Sequence, residues 1–182
     1  MKATGIVRRI DDLGRIVIPK EIRRTLRIKE GDPLEIFTDR EGEVILKKYS
    51  QVGELGKFAA EFAESLAQTS GHGVCITDRD QIVAAAGGMK KEYIGKTISD
   101  VLENMINERE SILAGKTPER HVELTNGENK PDVPQVITPI LCGGDAIGSV
   151  ILSGKDRSVK MGETENALAK CAAGFMGRQM EQ

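Results

Sequence analysis

The sequence predicts two domains: a small basic β-rich unit over residues 1–50 and an acidic α+β domain over residues 51–182. Three observations carry this reading. The formal net charge of the whole 182-residue chain is only −2, but residues 1–50 hold twelve Lys/Arg against nine Asp/Glu, and the remainder fourteen against nineteen. That split of sign along the chain points to a head that meets polyanion and a body with other work. The apolar pattern also changes. Before Ser50 it comes in short β-branched runs broken by Gly and Pro; after Gly53 it recurs at helical spacing. Third, a unit below roughly 60 residues buries a poor core by itself. Residues 1–50 contain no cysteine pair or zinc pattern to staple them, so an obligate homodimer is expected.

Taken in order, Gly5–Ile10 alternates enough for a strand. Asp11-Asp12-Leu13-Gly14 is a turn, with Asp at a favoured start and Gly14 free to take positive φ. Arg15–Ile18 reads as a second strand. Pro19 stops it and opens a helix, because its missing N–H is no loss at the first helical position. Lys20–Arg27 is that helix, with Ile22 and Leu26 at i and i+4 on the inward side and Arg23, Arg24 and Arg27 outside. Gly31-Asp32-Pro33 ends it. Leu34–Thr38 and Glu43–Lys48 are strands around a tight turn at Asp39–Gly42.

Ser50–Gly53 marks the boundary. Leu55, Phe58, Ala59, Phe62, Ala63 and Leu66 then trace an amphipathic helix ending near Ser70-Gly71. Val74–Thr77 and Gln81–Ala86 form a hairpin around Asp78-Arg79-Asp80. Thr97 or Ser99 caps a helix whose inner face carries Ile98, Val101, Leu102, Met105, Ile106 and Ile112. Arg120–Leu124 is read as a strand, Thr125–Pro134 as a loop, and Gln135–Leu141 and Ala146–Ser153 as strands joined at Cys142–Asp145. Gly162–Met180 is the last helix, with Leu168, Cys171, Ala172 and Phe175 inward. The result is an antiparallel sheet flanked by N- and C-terminal helices.

Several function classes receive no support. No apolar run approaches the roughly 18 residues of a membrane-spanning helix, and MKATGIVRRIDD lacks the apolar stretch of a secretory signal. A cytoplasmic protein is expected. Cys75, Cys142 and Cys171 are widely spaced and read as buried small hydrophobes. His72 and His121 sit in no metal or catalytic pattern, and neither Gly87-Gly88 nor Gly143-Gly144 belongs to a phosphate loop. No catalytic residue, metal set or cofactor motif emerges, and an enzyme is not expected. What does stand out is Ile6–Ile28, where six arginines and Lys20 are interleaved with aliphatic residues. A folded unit bearing guanidinium groups outward suits nucleic acid, since the planar fork grips phosphate oxygens or the guanine edge.

DLGRIVIPKEIRR, residues 12–24, resembles the signature of the AbrB-like transition-state regulators: an acidic residue, Gly-Arg, β-branched residues, Pro, any residue, Glu, an aliphatic and Arg. The resemblance implies a swapped-hairpin β-barrel, made when two chains interleave their hairpins. The chain's opening, the strand at 33–37 and its second domain resemble the two-domain sporulation regulators of this group, whose C-terminal half is GAF-like. GVCITDRDQIVAAAGG and ITPILCGGDAIGSVIL look like GAF strand pairs. By this resemblance Arg8, Arg15, Arg23 and Arg24 occupy DNA-contacting positions, Arg9 and Lys20 assist, and Gly14 and Pro19 are scaffold. It further implies activation or repression of sporulation genes in a bacterial forespore, on AT-rich duplex DNA without strict consensus. The GAF-like domains are expected to join dimers into a homotetramer. Their sheet either encloses a cavity for an unidentified small molecule, with Thr69–His72 and Gly87–Lys90 at its mouth, or is filled and serves as an assembly platform. The competing function is an antitoxin-type interaction module, because the same hairpin occurs in proteins that neutralise toxins.

Overall fold

The computed structural model describes residues 4–54, 56–89, 93–113, 121–128 and 133–181. The chain divides into two compact units, Met1–Tyr49 and Ser50–Gln182.

The first unit holds helix α1 (Lys20–Thr25) and an antiparallel pair, β1 (Leu34–Thr38) and β2 (Val44–Lys48), registered from Leu34↔Lys48 to Thr38↔Val44. The connecting turn is fixed by Asp39, whose carboxylate accepts from the amides of Glu41 and Glu43. Pro19 is the N-cap of α1, one position before the helix proper, and is buried. The two strands expected at Gly5–Ile10 and Arg15–Ile18 are not formed. Both stretches are largely exposed, and the bond from Asp11 N to Arg15 O at the turn between them is not continued into a ladder. Leu26, expected inward, is 55% exposed, and α1 buries none of its residues.

The second unit contains α2 (Gln51–Glu54), α3 (Gly56–Ser70), β3 (Gly73–Asp78), β4 (Ile82–Ala86), α4 (Asp100–Asn107), β5 (Gln135–Cys142), β6 (Asp145–Ser153) and α5 (Glu163–Met180). Leu55, assigned to the first helix, lies outside the described residues. Its sheet has the order β4-β3-β6-β5, antiparallel throughout. Side-chain alternation gives the sheet two apolar faces. On one, Val74, Ile76, Val136, Ile140, Val150 and Leu152 pack with Ala59, Ala63 and Leu66 of α3 and Ala169, Ala172, Ala173 and Met176 of α5. On the other, Cys75, Ile82, Ile137 and Ile151 meet Leu102, Met105 and Ile106 of α4 and the loop residues Val122 and Leu124.

Small residues let α5 lie close to the sheet. A Cβ on Gly177 would overlap the Leu141 carbonyl oxygen, so this contact is open to glycine alone. The same geometry corrects two expectations. Cys171 and Phe175 are exposed on the flank of α5, where Phe175 stacks with Phe62 of α3 at a centroid distance of 5.5 Å and meets Phe58 at a tilt at 6.0 Å. Val101 is likewise 51% exposed, off the buried face of α4. Of the cysteines only Cys75 is buried; Cys142 is half-buried. Arg120–Leu124 is not a strand where it is described. The Gln135 side chain instead accepts from Val122 N at 2.9 Å and donates to Val122 O at 3.0 Å. One amide thus supplies both partners that a neighbouring strand would have given.

Candidate nucleic-acid interface

The basic residues sit on three local frames of the first unit. Arg8 and Arg9 lie on the N-terminal arm and are exposed; Arg8 Nη1 donates to the Val7 carbonyl at 3.2 Å. The arm ends in a turn organised by Asp11. Asp11 N donates to Arg15 O and Gly14 N to Asp11 O, both at 3.0 Å. Gly14 takes φ +76°, which an L side chain would resist. The Asp11 carboxylate accepts from Leu13 N at 3.0 Å, from Arg15 N at 2.7 Å and from Arg15 Nε at 2.8 Å. Arg15 is therefore held by its Nε, with its terminal nitrogens outside that bond and its side chain 68% exposed.

Helix α1 provides the third frame. Arg23 Nε donates to the Ile18 carbonyl at 3.2 Å, and Arg23 N closes the first turn on Pro19 O at 2.9 Å. Arg23 and Arg24 occupy the last turn of the helix, where cations meet its negative end. Lys20 and Arg24 are exposed. Arg15 and Arg23 thus share one device: each guanidinium is anchored through Nε to a nearby oxygen. Such anchoring reduces the rotamer freedom lost when a phosphate is gripped. Arg15 is thus paired with Asp11 of its own chain.

In the sequence the spacing of Asp11 to Gly14 signals an Asp-led turn, but it carries no sign that Asp11 also holds the Arg15 side chain. The Arg15 backbone amide, followed by the Arg15 side chain, holds its carboxyl below the usual carboxylate range. A lowered pKa in the fold contributes stability that is present above the ordinary value and lost as pH falls through the lowered one. Asp11→Asn is expected to lower the melting temperature of the first unit slightly at neutral pH. The gap to the parent should close between about pH 5 and about pH 3, as followed by circular dichroism; a gap independent of pH would remove Asp11 from this role.

Two further polar clusters lie in the second unit. At its first residue, Ser50 Oγ donates to Asp78 Oδ2 at 2.6 Å and accepts from Gly53 N at 2.8 Å. Asp78 Oδ1 takes the amides of Asp80 and Gln81, each at 2.7 Å. His72 Nε2 lies 3.3 Å from Glu165 Oε1, and Glu165 Oε2 accepts from Gly162 N at 2.7 Å. Burial pushes the Glu165 carboxyl up, but the Gly162 amide, its own amide and His72 outweigh that and bring it below its ordinary value. This pair ties the start of α5 to the chain before β3. Gly87 presses on the His72 carbonyl, so the two segments expected at a cavity mouth are neighbours; Lys90 lies outside the described residues. Among the described residues no group of three or more His, Cys, Asp or Glu side chains is arranged to hold a metal. Nor is any helix there long and apolar enough to cross a membrane.

Comparison with known proteins bears on both units. The family model described as stage V sporulation protein T C-terminal, transcription factor, matches residues 54–181. A second model, antidote-toxin recognition MazE, bacterial antitoxin, matches residues 7–54. Stage V sporulation protein T of Bacillus subtilis is 55% identical over 182 residues, covering 100% of both chains. The transition state regulatory protein AbrB of the same organism is 65% identical over 49 residues, 27% of this chain and 50% of its own length. Its solved N-terminal DNA recognition domain is 62% identical, covering 28% of this chain and 92% of that one, with a TM-score of 0.25. The GAF domain of an Acinetobacter phosphoenolpyruvate-protein phosphotransferase superposes with a TM-score of 0.55 at 12% identity. It covers 74% of this chain and 84% of its own, and identifies the second unit as GAF-like in fold.

Proposed function

The chain belongs to the stage V sporulation protein T family of transcription factors, and on that premise we propose that it regulates sporulation genes by gripping AT-rich duplex DNA. Arg8, Arg15, Arg23 and Arg24 make the main contacts, with Arg9 and Lys20 assisting and Gly14 and Pro19 as scaffold. The observation that carries this reading is the shared anchoring of Arg15 and Arg23 through Nε, at 2.8 and 3.2 Å. The swapped-hairpin homodimer through residues 1–50 supplies two such sets. Its support is the exposed aliphatic surface of the single chain, which a partner would cover. The GAF-like domains either join dimers into a tetramer or sense a small molecule; the Phe58–Phe62–Phe175 cluster offers an apolar contact for the first of these. The protein acts in the cytoplasm of the forespore, on the nucleoid, as activator or repressor according to the gene, and is not an enzyme.

Affinity for an AT-rich duplex measured against salt tests the DNA reading. If about eight phosphates are neutralised per dimer, log affinity falls with log salt at a slope of about −7. A slope near zero overturns it. The match to MazE-type antitoxins over residues 7–54 favours a second reading, neutralisation of a toxin. Against it, the tail with which such proteins bind toxins is replaced here by a folded domain. Co-purification with a small toxic nuclease, together with no duplex binding, would reverse the ranking.

A further inference from the structure

Helix α1 carries Arg23 and Arg24, yet it buries none of its six residues. Apolar packing, the usual source of a helix's stability in a fold, therefore does little within the chain to fix its direction. Its two ends are held by polar bonds instead. At the front, Arg23 Nε reaches the Ile18 carbonyl at 3.2 Å. At the back, Lys48 of β2 reaches across 21 residues of sequence, and its Nζ donates to the Arg27 carbonyl at 2.8 Å. The same Nζ lies 3.6 Å from Asp32 Oδ2, which also accepts from Lys29 N at 2.8 Å. Asp32 N in turn donates to Lys29 O at 3.3 Å. One lysine thus ties together the end of α1, the turn that follows it and the strand β2.

This clamp sits on a backbone that needs holding. Arg27 takes φ +51°, in the left-handed region that glycine usually fills just past a helix end. A non-glycine residue keeps that conformation only where its surroundings enforce it. Carbonyls at a helix end also lack a partner within the helix, and an ammonium with three donors can serve one of them and a carboxylate together. Lys48 is poorly placed to grip phosphate itself. Its side chain is 26% exposed, against 68% for Arg15, and the Asp32 carboxylate stands beside it. We propose that Lys48 is a positioning residue for the DNA interface, with Asp32 as its partner: it sets the direction of α1, and so the places of Arg23 and Arg24, without gripping phosphate. The proposal rests on the DNA-binding reading above.

Duplex affinity measured against salt separates positioning from contact. The full chain is used, at a temperature where circular dichroism shows parent and variants folded. Lys48→Met should lower affinity for an AT-rich duplex by about tenfold. The salt slope should stay that of the parent, whereas a lost phosphate contact would make it shallower by about 0.9 per chain. Asp32→Asn is the sharper test. It keeps an oxygen for the Lys29 amide but removes an acid from the DNA-binding unit, which by charge alone strengthens binding to a polyanion. Through the weakened clamp it should instead lower affinity, by about three- to tenfold. The double variant should fall little further than Lys48→Met alone, since both substitutions break one interaction. A slope shallower by about 0.9 per chain in Lys48→Met makes Lys48 a phosphate contact and overturns the proposal. So does an Asp32→Asn variant that binds as tightly as the parent or tighter. If Lys48→Met does not fold, Asp32→Asn decides alone by that criterion. With Arg23→Ala weakened and both clamp variants unchanged, only the positioning role falls; a parent that ignores duplex DNA takes the DNA reading down with it.

Discussion

Arg23→Ala is expected to weaken binding to an AT-rich duplex by about 100-fold, with Arg15→Ala close behind. A guanidinium that grips phosphate or a base edge contributes about 1–3 kcal/mol per contact, and a two-fold pair loses both copies at once. The folded state should suffer far less. Arg23→Ala forfeits the bond from Nε to the Ile18 carbonyl, worth about 1 kcal/mol. Arg15→Ala forfeits an exposed ion pair with Asp11, which solvent screens. Fluorescence anisotropy beside thermal melts therefore distinguishes contact from collapse. Arg23→Lys makes the same point from the other side: it keeps the charge but cannot reproduce the Nε anchor, and should recover only part of the affinity. Affinities within threefold of the parent for both alanine variants would remove Arg15 and Arg23 from the interface.

The parts of this site legible in the sequence were those fixed by local chemistry. Asp11 and Gly14 announce a turn because a short carboxylate can cap neighbouring amides and glycine can take positive φ. Pro19 announces the start of α1 because it lacks the donor that a helix start wastes. Nε anchoring is a different matter. It depends on a side chain reaching the carbonyl of Ile18 five residues back, and no pattern of residue types encodes that reach. The strands expected at Gly5–Ile10 and Arg15–Ile18 show the other limit, since alternation gives a stretch its strand character while forming a ladder needs a paired neighbour, which is a tertiary property.

The GAF-like unit divides along the same line. The spacing of Phe58, Ala59, Phe62, Ala63 and Leu66 gave α3 because helical period is a local property. In α5 the larger residues misled: Phe175 and Cys171 lie on the flank, and Ala169, Ala172, Ala173 and Gly177 face the sheet. Close approach of helix and sheet favours the smallest side chains, so hydrophobicity alone picks the wrong face there. At Arg120–Leu124 the β-branched and apolar residues suggested a strand, but the partner for Val122 is the Gln135 amide. A side chain standing in for a strand is a long-range event invisible to local pattern.

Ile16→Asp is expected to unfold residues 4–49 and to lower the assembly state of the full chain. In the single chain Ile16 is 53% exposed, and a surface substitution of that kind would change stability by no more than about 0.5 kcal/mol. The first unit as a whole argues otherwise. Ile6, Val7, Ile10, Leu13, Ile16 and Val17 are all exposed on it, as are Leu26, Ile36, Val44 and Leu46. A unit of some fifty residues rarely presents so many large aliphatic side chains to water. If a second chain covers these residues, Asp at position 16 places an unpaired carboxylate in the new core, at a cost of about 3 kcal/mol or more per chain. Position 16 also separates assembly from contact, because Ile16 is uncharged and its replacement leaves every arginine in place. Sedimentation should then show loss of the dimer through residues 1–50, and thermal melts should show one remaining transition from the GAF-like domain. Duplex binding should vanish although every arginine is intact. A variant that keeps its mass, its melt and its affinity would mean that one chain suffices to build the DNA-binding unit, and that its aliphatic surface serves some other end.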